Sequence, residues 1–224
     1  MSNRPRGGLK KRSHRGQIVI ISSPSGGGKT SICRKLLSPQ RKRKGWRFSI
    51  SYTTRQKRKG ERNGREYFFV DPAQFNKLKA KDFFAESFKV HLYQYGTPRG
   101  PLEDVLRTGG VMLLDVDVKG ALSLKRKYRD ALTIFILPPS YEDLKKRLTK
   151  RGTETEEQLR VRRENARKEI KEYKKFSHVV VNDDLQAAVR KVLSIIQSHA
   201  CRTEFFDEEQ FRDLFVKSGA QKED

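Results

Sequence analysis

Residues 16–30 begin with an apolar stretch, Ile18 to Ile21, and empty into a turn that ends in Gly28, Lys29 and Thr30. A loop of this composition holds polyphosphate. Gly26, Gly27 and Gly28 let successive backbone N–H groups turn toward anionic oxygens, Lys29 adds a mobile cation, and the Thr30 hydroxyl can ligate Mg²⁺. A helix over 31–37 would point its positive N-terminal end at the same place. The strict pattern has glycine six residues before the lysine, where this chain has Ser23, followed by Pro24 and Ser25.

A second constellation lies downstream. Arg55 and Arg58 stand three apart, and Tyr67 follows nine residues later. Arginine grips phosphate through two parallel N–H donors and a tyrosine hydroxyl adds a neutral one, so this segment reads as a second phosphate pocket.

Both sites need a scaffold, and 224 residues suit one α/β domain with insertions rather than two large domains. Apolar runs recur at 110–117, 131–137 and 178–181, with a further strand at 47–51. Helical segments at 102–107, 121–128, 141–150 and 183–198 flank them, the mark of a parallel sheet covered on both faces. In the last, Leu185, Val189, Val192 and Ile196 share a face. The chain is thereby a doubly wound α/β fold with the phosphate loop after its first strand. Two insertions interrupt the core of 16–50, 99–146 and 176–200. Residues 51–98 read as a small, mostly β module, and 147–175 as a charged helix with a Thr153–Glu156 capping box. On that helix Leu159, Ala166, Ile170 and Tyr173 share one face, sparse packing that suits a moving lid. Residues 1–15 read as a disordered basic tail. In 201–224, Phe205, Phe206, Phe211, Leu214 and Phe215 suggest a short apolar-faced helix docking on the domain or on another subunit, the latter giving a homo-oligomer.

Hydrophobic and charged residues are 35% and 34% of the chain, so a modest core lies under an ionic surface. The net charge of +23 attracts polyanions, whether nucleic acid, an anionic membrane face or nucleotides. Its basic runs, at 10–15, 41–44, 55–65 and 145–151, are spread as on a solvated surface, and no nucleic-acid recognition motif accompanies them. Cys33 and Cys201 read as reduced thiols, Cys33 buried, and the histidines at 14, 91, 178 and 199 lack metal-ligand spacing. No stretch approaches the roughly 18 apolar residues of a membrane span, and no signal-peptide core follows the basic N-terminus, so a cytoplasmic protein is expected.

Taken in order, the motifs resemble the guanylate kinase family. The matching segments are 22–30, 53–55 through 60–61 and 63–64 to 67–70, 95–97, 114–120, 138–140, 151–154 and 181–183, within about 16–200. One departure is Glu66, where the family commonly has aspartate before the tyrosine.

The resemblance implies a P-loop core, a GMP-binding module at 51–98 and a helical lid at 147–175. It also implies ATP-dependent phosphorylation of GMP, with dGMP as a second substrate, by direct Mg²⁺-assisted transfer. Ser23, Pro24, Ser25, Gly26, Gly27, Gly28, Lys29 and Thr30 would hold ATP, with Asn182 near the adenine. Arg55, Arg58, Tyr67 and Tyr95 would hold the acceptor's phosphate, with Ser51, Glu86 and Thr97 at the guanine. Lys29 would bridge the β and γ phosphates and Thr30 would ligate the metal. Asp115 or Asp117 would hold the ion's water shell or the guanine side, Asp115 being assigned to the metal and Asp117 to the substrate. Arg58 and the lid arginines Arg147, Arg151 and Arg162, the last with Arg163 as its neighbouring alternative, would stabilise transfer. Base chemistry supports Glu86 independently, because a carboxylate accepts from guanine N1–H and its 2-amine, neither of which adenine has. A non-catalytic scaffold on the same fold would be expected to lack the loop lysine or the monophosphate arginines, yet Lys29, Thr30, Arg55, Arg58 and Arg151 are all present.

Overall fold

A computed structural model of the chain describes residues 15–90, 92–149, 156–205 and 212. Strand β1 (Gln17–Ser22) leads through the glycine-rich loop into α1 (Lys29–Leu36). Then come α2 (Pro39–Arg43), capped by Ser38, and β2 (Trp46–Phe48). The module follows as β3 (Tyr52–Thr53), β4 (Phe68–Phe69), α3 (Pro72–Ala80), β5 (Phe84–Val90) and β6 (Tyr93–Pro98). The chain returns through α4 (Arg99–Thr108), β7 (Val111–Asp115), α5 (Val118–Lys127), β8 (Leu132–Leu137) and α6 (Tyr141–Thr149). It ends in α7 (Glu156–Lys171), β9 (His178–Val181) and α8 (Leu185–His199).

The main sheet has five parallel strands in the order β2-β7-β1-β8-β9. Alternation along β1 divides the core between its faces. Val19 and Ile21 pack with Ile32 and Leu36 of α1 and Val192 and Ile196 of α8, whereas Ile18 and Ile20 pack with Leu102 of α4 and Leu124 of α5. Each buried aliphatic side chain contributes about 1.5–3 kcal/mol, which makes this sheet the rigid platform for the loop. Register sets Asp115 beside Ile21, at the strand end from which the loop departs. The expected buried thiol is there: Cys33 is buried and free, and Cys201 is exposed and free.

The module carries a second sheet of order β4-β3-β6-β5, mostly antiparallel, together with α3. It docks on the core where β5 meets α5. A Cβ at Gly120 would lie 2.7 Å from Phe88 Cε1, so the glycine is needed for that approach. Helix α7, expected as the lid, is anchored by Ala166 packing against Leu144 and Leu148 of α6.

Several boundaries differ from the sequence reading. The strand expected at 47–51 stops at Phe48, since the chain turns there toward the module. That at 110–117 stops at Asp115, because Asp117 caps α5, its carboxylate accepting from Gly120 N–H at 2.7 Å. Asp184 caps α8 in the same way and delays its start to Leu185. Tyr173 leaves the lid's apolar face, lying half-exposed in a 3₁₀ turn, Glu172–Lys175. Arg15, assigned to the tail, pairs with Asp130 at 3.1 Å. The remainder of the tail, Thr153 of the capping box, Arg151 and most of the C-terminal extension lie outside the described residues; Phe205 sits edge-on to His199, with ring centroids 5.0 Å apart. Among the described residues no helix is long and apolar enough to cross a membrane.

Candidate active site

The loop turns on Gly26 and Gly28, at φ +86° and +94°, left-handed values that favour glycine. Gly28 directly precedes α1, so loop amides and the helix N-terminus face one space. Ser23, buried where the strict pattern has glycine, is accommodated because its Oγ donates to Pro24 O at 2.8 Å. Asn182, just after β9, donates from Nδ2 to Gly27 O at 3.1 Å, and Arg147 of α6 donates to the Asn182 carbonyl at 3.0 Å. Both residues therefore brace the loop. Thr30 Oγ1 donates to Asp115 Oδ2 at 2.5 Å, with Lys29 Nζ 3.4 Å from Asp115 Oδ1. Helix α7 reaches the loop at Ser25, whose Oγ accepts from Arg162 at 3.0 Å and whose N–H donates to Glu169 Oε2 at 3.0 Å. Arg162, rather than Arg163, is thus the arginine at the loop. Burial, partly opposed by the Ser25 amide, holds the Glu169 carboxyl above its usual range.

Across the cleft, one pocket is lined by Lys29, Ser51, Tyr67, Glu86, Phe88, Val90, Tyr95, Asp115, Val116 and Asp117. Glu86 is 7% exposed, which rules out a solvated surface glutamate. Thr97 Oγ1 donates to its Oε1 at 2.6 Å, while Oε2 is buried without a protein partner. Burial, with help from Asp117 and against the Thr97 hydrogen bonds, raises the Glu86 pKa to about 7. The Tyr67 hydroxyl is pushed up to about 12 by burial and the Asp115 charge, so it stays a neutral donor at pH 7.

Arg55 is held on three sides. Its guanidinium donates to both Glu61 oxygens, at 2.8 and 3.0 Å, and lies 5.5 Å from the Tyr67 ring centroid and 5.6 Å from that of Phe69. Glu61 also accepts the Arg58 N–H at 2.8 Å, which sets the turn between the two arginines; the Arg58 side chain itself is exposed. Tyr95 lies edge-on to Tyr67, with centroids 5.9 Å apart. Thr97 acts on the pocket through Glu86 rather than as part of its lining.

Glu61, Glu169, Phe88 and Val90 were not singled out from the sequence. Phe88 and Val90 had a usable signal, because they alternate with Glu86 along one strand face. Glu169 lies seven residues after Arg162, two turns along the same face of α7.

A polyphosphate loop facing a second, carboxylate-bearing pocket across the ends of a parallel sheet defines a P-loop nucleotide-binding enzyme fold with two subsites. The family model described as guanylate kinase matches residues 15–199. A guanylate kinase of Clostridium tetani is 44% identical over 191 residues, covering 85% of this chain and 89% of the relative. One of Thermotoga maritima is 42% identical over 188 residues, covering 84% and 89%. The crystal structure of guanylate kinase from Anaplasma phagocytophilum superposes with a TM-score of 0.75 at 29% identity, covering 92% of this chain and 97% of that one. The chain belongs to the guanylate kinase family.

Proposed function

We propose that the chain transfers the γ-phosphoryl group of ATP to GMP, forming ADP and GDP, and that dGMP is a second acceptor. The observation that carries the choice of base is Glu86 Oε2, a buried acceptor with no protein partner at the wall of the acceptor pocket. Guanine offers N1–H and a 2-amino group to such a carboxylate. Adenine offers neither, and leaving the carboxylate unpaired can cost a factor of roughly 10⁴–10⁵ in specificity.

The acceptor's phosphate oxygen is already nucleophilic at neutral pH, so positioning and charge cancellation remain for the protein to supply. Arg55, fixed by Glu61, joins Arg58, Tyr67 and Tyr95 at that phosphate; Ser51 and Asp117 complete the nucleoside end. Ser23 through Thr30 cradle the donor, Lys29 spans its β and γ phosphates, and Arg147 of α6 and Arg162 of α7 stand beside the loop, Arg151 being assigned to the same phosphates by the family resemblance. These contacts strengthen as charge spreads in the transition state. Thr30 Oγ1 and the Asp115 carboxylate form a close pair of hard oxygen donors, which fits Mg²⁺. Such an ion, when bound with the triphosphate, would neutralise charge on the β and γ phosphates.

The test is incubation of the chain with ATP, Mg²⁺ and GMP, reading ADP and GDP together. Equal amounts of both are expected, with Lys29→Ala losing both while keeping the wild-type circular dichroism spectrum. Undiminished turnover by Lys29→Ala would contradict the role given to the loop.

A further inference from the structure

Ser25 is gripped twice by α7, through its hydroxyl by Arg162 and through its N–H by Glu169, each at 3.0 Å. The second contact is unusual chemically. A glycine-rich loop spends its amides on phosphate oxygens, and here a carboxylate of the same chain takes one of them. Glu169 also lies within the fields of Asp117, which opposes its charge, and of Lys29 and Arg162, cations that a terminal phosphate would face. Its carboxylate thus presents to the loop what a phosphate oxygen would present: negative charge, a lone pair on an amide, and neighbouring cations.

We propose that Glu169 is a specificity-determining residue of the donor site, its carboxylate competing with the terminal phosphate of a nucleoside triphosphate for the Ser25 amide. A nucleoside diphosphate, lacking that phosphate, meets no such competition. Glu169 therefore narrows the preference for triphosphate over diphosphate, and it reclaims the amide once the phosphoryl group has moved to the acceptor. The displaced side chain has a place to go. It borders the cleft between α5 and α7, a lining of mixed charge in which Lys89, Lys119 and Lys168 outnumber the other carboxylates, Asp117 and Glu172. Arg162, seven residues away, can keep α7 on the loop through the Ser25 hydroxyl while the amide changes partner. The inference rests on the reading that the loop holds the donor's phosphates.

Titration calorimetry of the full chain with ATP and with ADP, without acceptor and at one magnesium concentration, tests it. Glu169→Gln is nearly isosteric and keeps a weak acceptor but removes the charge, and Glu169→Ala removes both. The ratio of ADP to ATP dissociation constants should rise about tenfold in each variant, the scale of one charge-assisted hydrogen bond. GMP affinity should stay at the wild-type value. Comparing two nucleotides within one variant cancels any general loosening of the lid. A ratio unchanged in both variants, or one that falls because the carboxylate helps hold the triphosphate, overturns the inference and leaves the assignment of the loop intact. Failure of the wild-type chain to bind either nucleotide overturns both.

Discussion

Thr97 Oγ1 donates to Glu86 Oε1 at 2.6 Å and leaves Glu86 Oε2 buried with no protein partner. The two residues face each other across the pairing of β5 with β6, where Glu86 is in register with Thr97. A half-satisfied buried carboxylate is costly to the free chain, because one oxygen gives up its water without replacement. A ligand that brings N–H donors relieves that cost on binding. On the proposed assignment of Glu86 to the base, affinity for guanine would be coupled to this penalty in the fold.

The penalty has a pH signature. Burial raises the Glu86 carboxyl from its ordinary value near 4.5 to about 7. Between those values the folded chain binds more protons than the unfolded one, so stability from this group is present in full below about 4.5 and is lost as pH rises through about 7. Asp117 and Glu169 are raised as well, again chiefly by burial, so the informative quantity is the difference between wild type and Glu86→Gln. Thermal melts across this window should fall more steeply for wild type. Parallel melting curves would contradict the linkage. GMP binding, which uses the ionised form, should tighten toward pH 7 and release protons, measurable by calorimetry in buffers of different ionisation enthalpy.

Gly120 lies where the β5–β6 module meets the core, and its substitution should damage both stability and, on the proposed function, acceptor binding. Alanine usually stabilises a helix interior relative to glycine. Here its Cβ would meet Phe88 Cε1 at 2.7 Å, and that ring is held by stacking on Tyr95 with centroids 6.0 Å apart. Gly120→Ala should cost about 1–3 kcal/mol in denaturant unfolding and raise KM for GMP with little change in KM for ATP. Adding Phe88→Ala should recover part of the stability if the clash is the cause; additive losses would refute it.

Glu61 should matter as much to acceptor binding as the arginine it holds. The Arg55–Glu61 pair is largely buried, at 10% and 18% side-chain exposure, and hydrogen bonds to charged groups contribute about 1.5–3 kcal/mol. Glu61→Gln should loosen Arg55 and raise KM for GMP about tenfold, with Glu61→Asp retaining part of the effect. Steady-state kinetics would show it; an unchanged KM would mean that Arg55 needs no partner to stay in place.

What could be read from the chain alone follows from which signals are local. The loop was legible because Gly28, Lys29 and Thr30 are consecutive, and the sheet because β1, β7 and β8 are predominantly apolar runs buried on both faces. Helices α2 and α3 were passed over although Ser38 and Asp71 are caps followed directly by proline, since neither segment has a broad apolar face. The contacts of Glu61 with Arg55, Glu169 with Ser25 and Phe88 with Gly120 depend on how loops and elements fold together. No periodicity along the chain reports such a pairing. For Asn182 the segment's match to the family gave a place near the nucleotide, while its hydrogen bond to Gly27 O, which braces the loop, had no signal along the chain.

The most direct measurement is kcat/KM with ATP for GMP, AMP and UMP as acceptors, for wild type and Glu86→Gln. The account predicts that wild type uses GMP at least about 10⁴ times better than AMP, and that Glu86→Gln loses most of this margin through the GMP value. Turnover of AMP or UMP equal to or above that of GMP, or a margin untouched in Glu86→Gln, would contradict it.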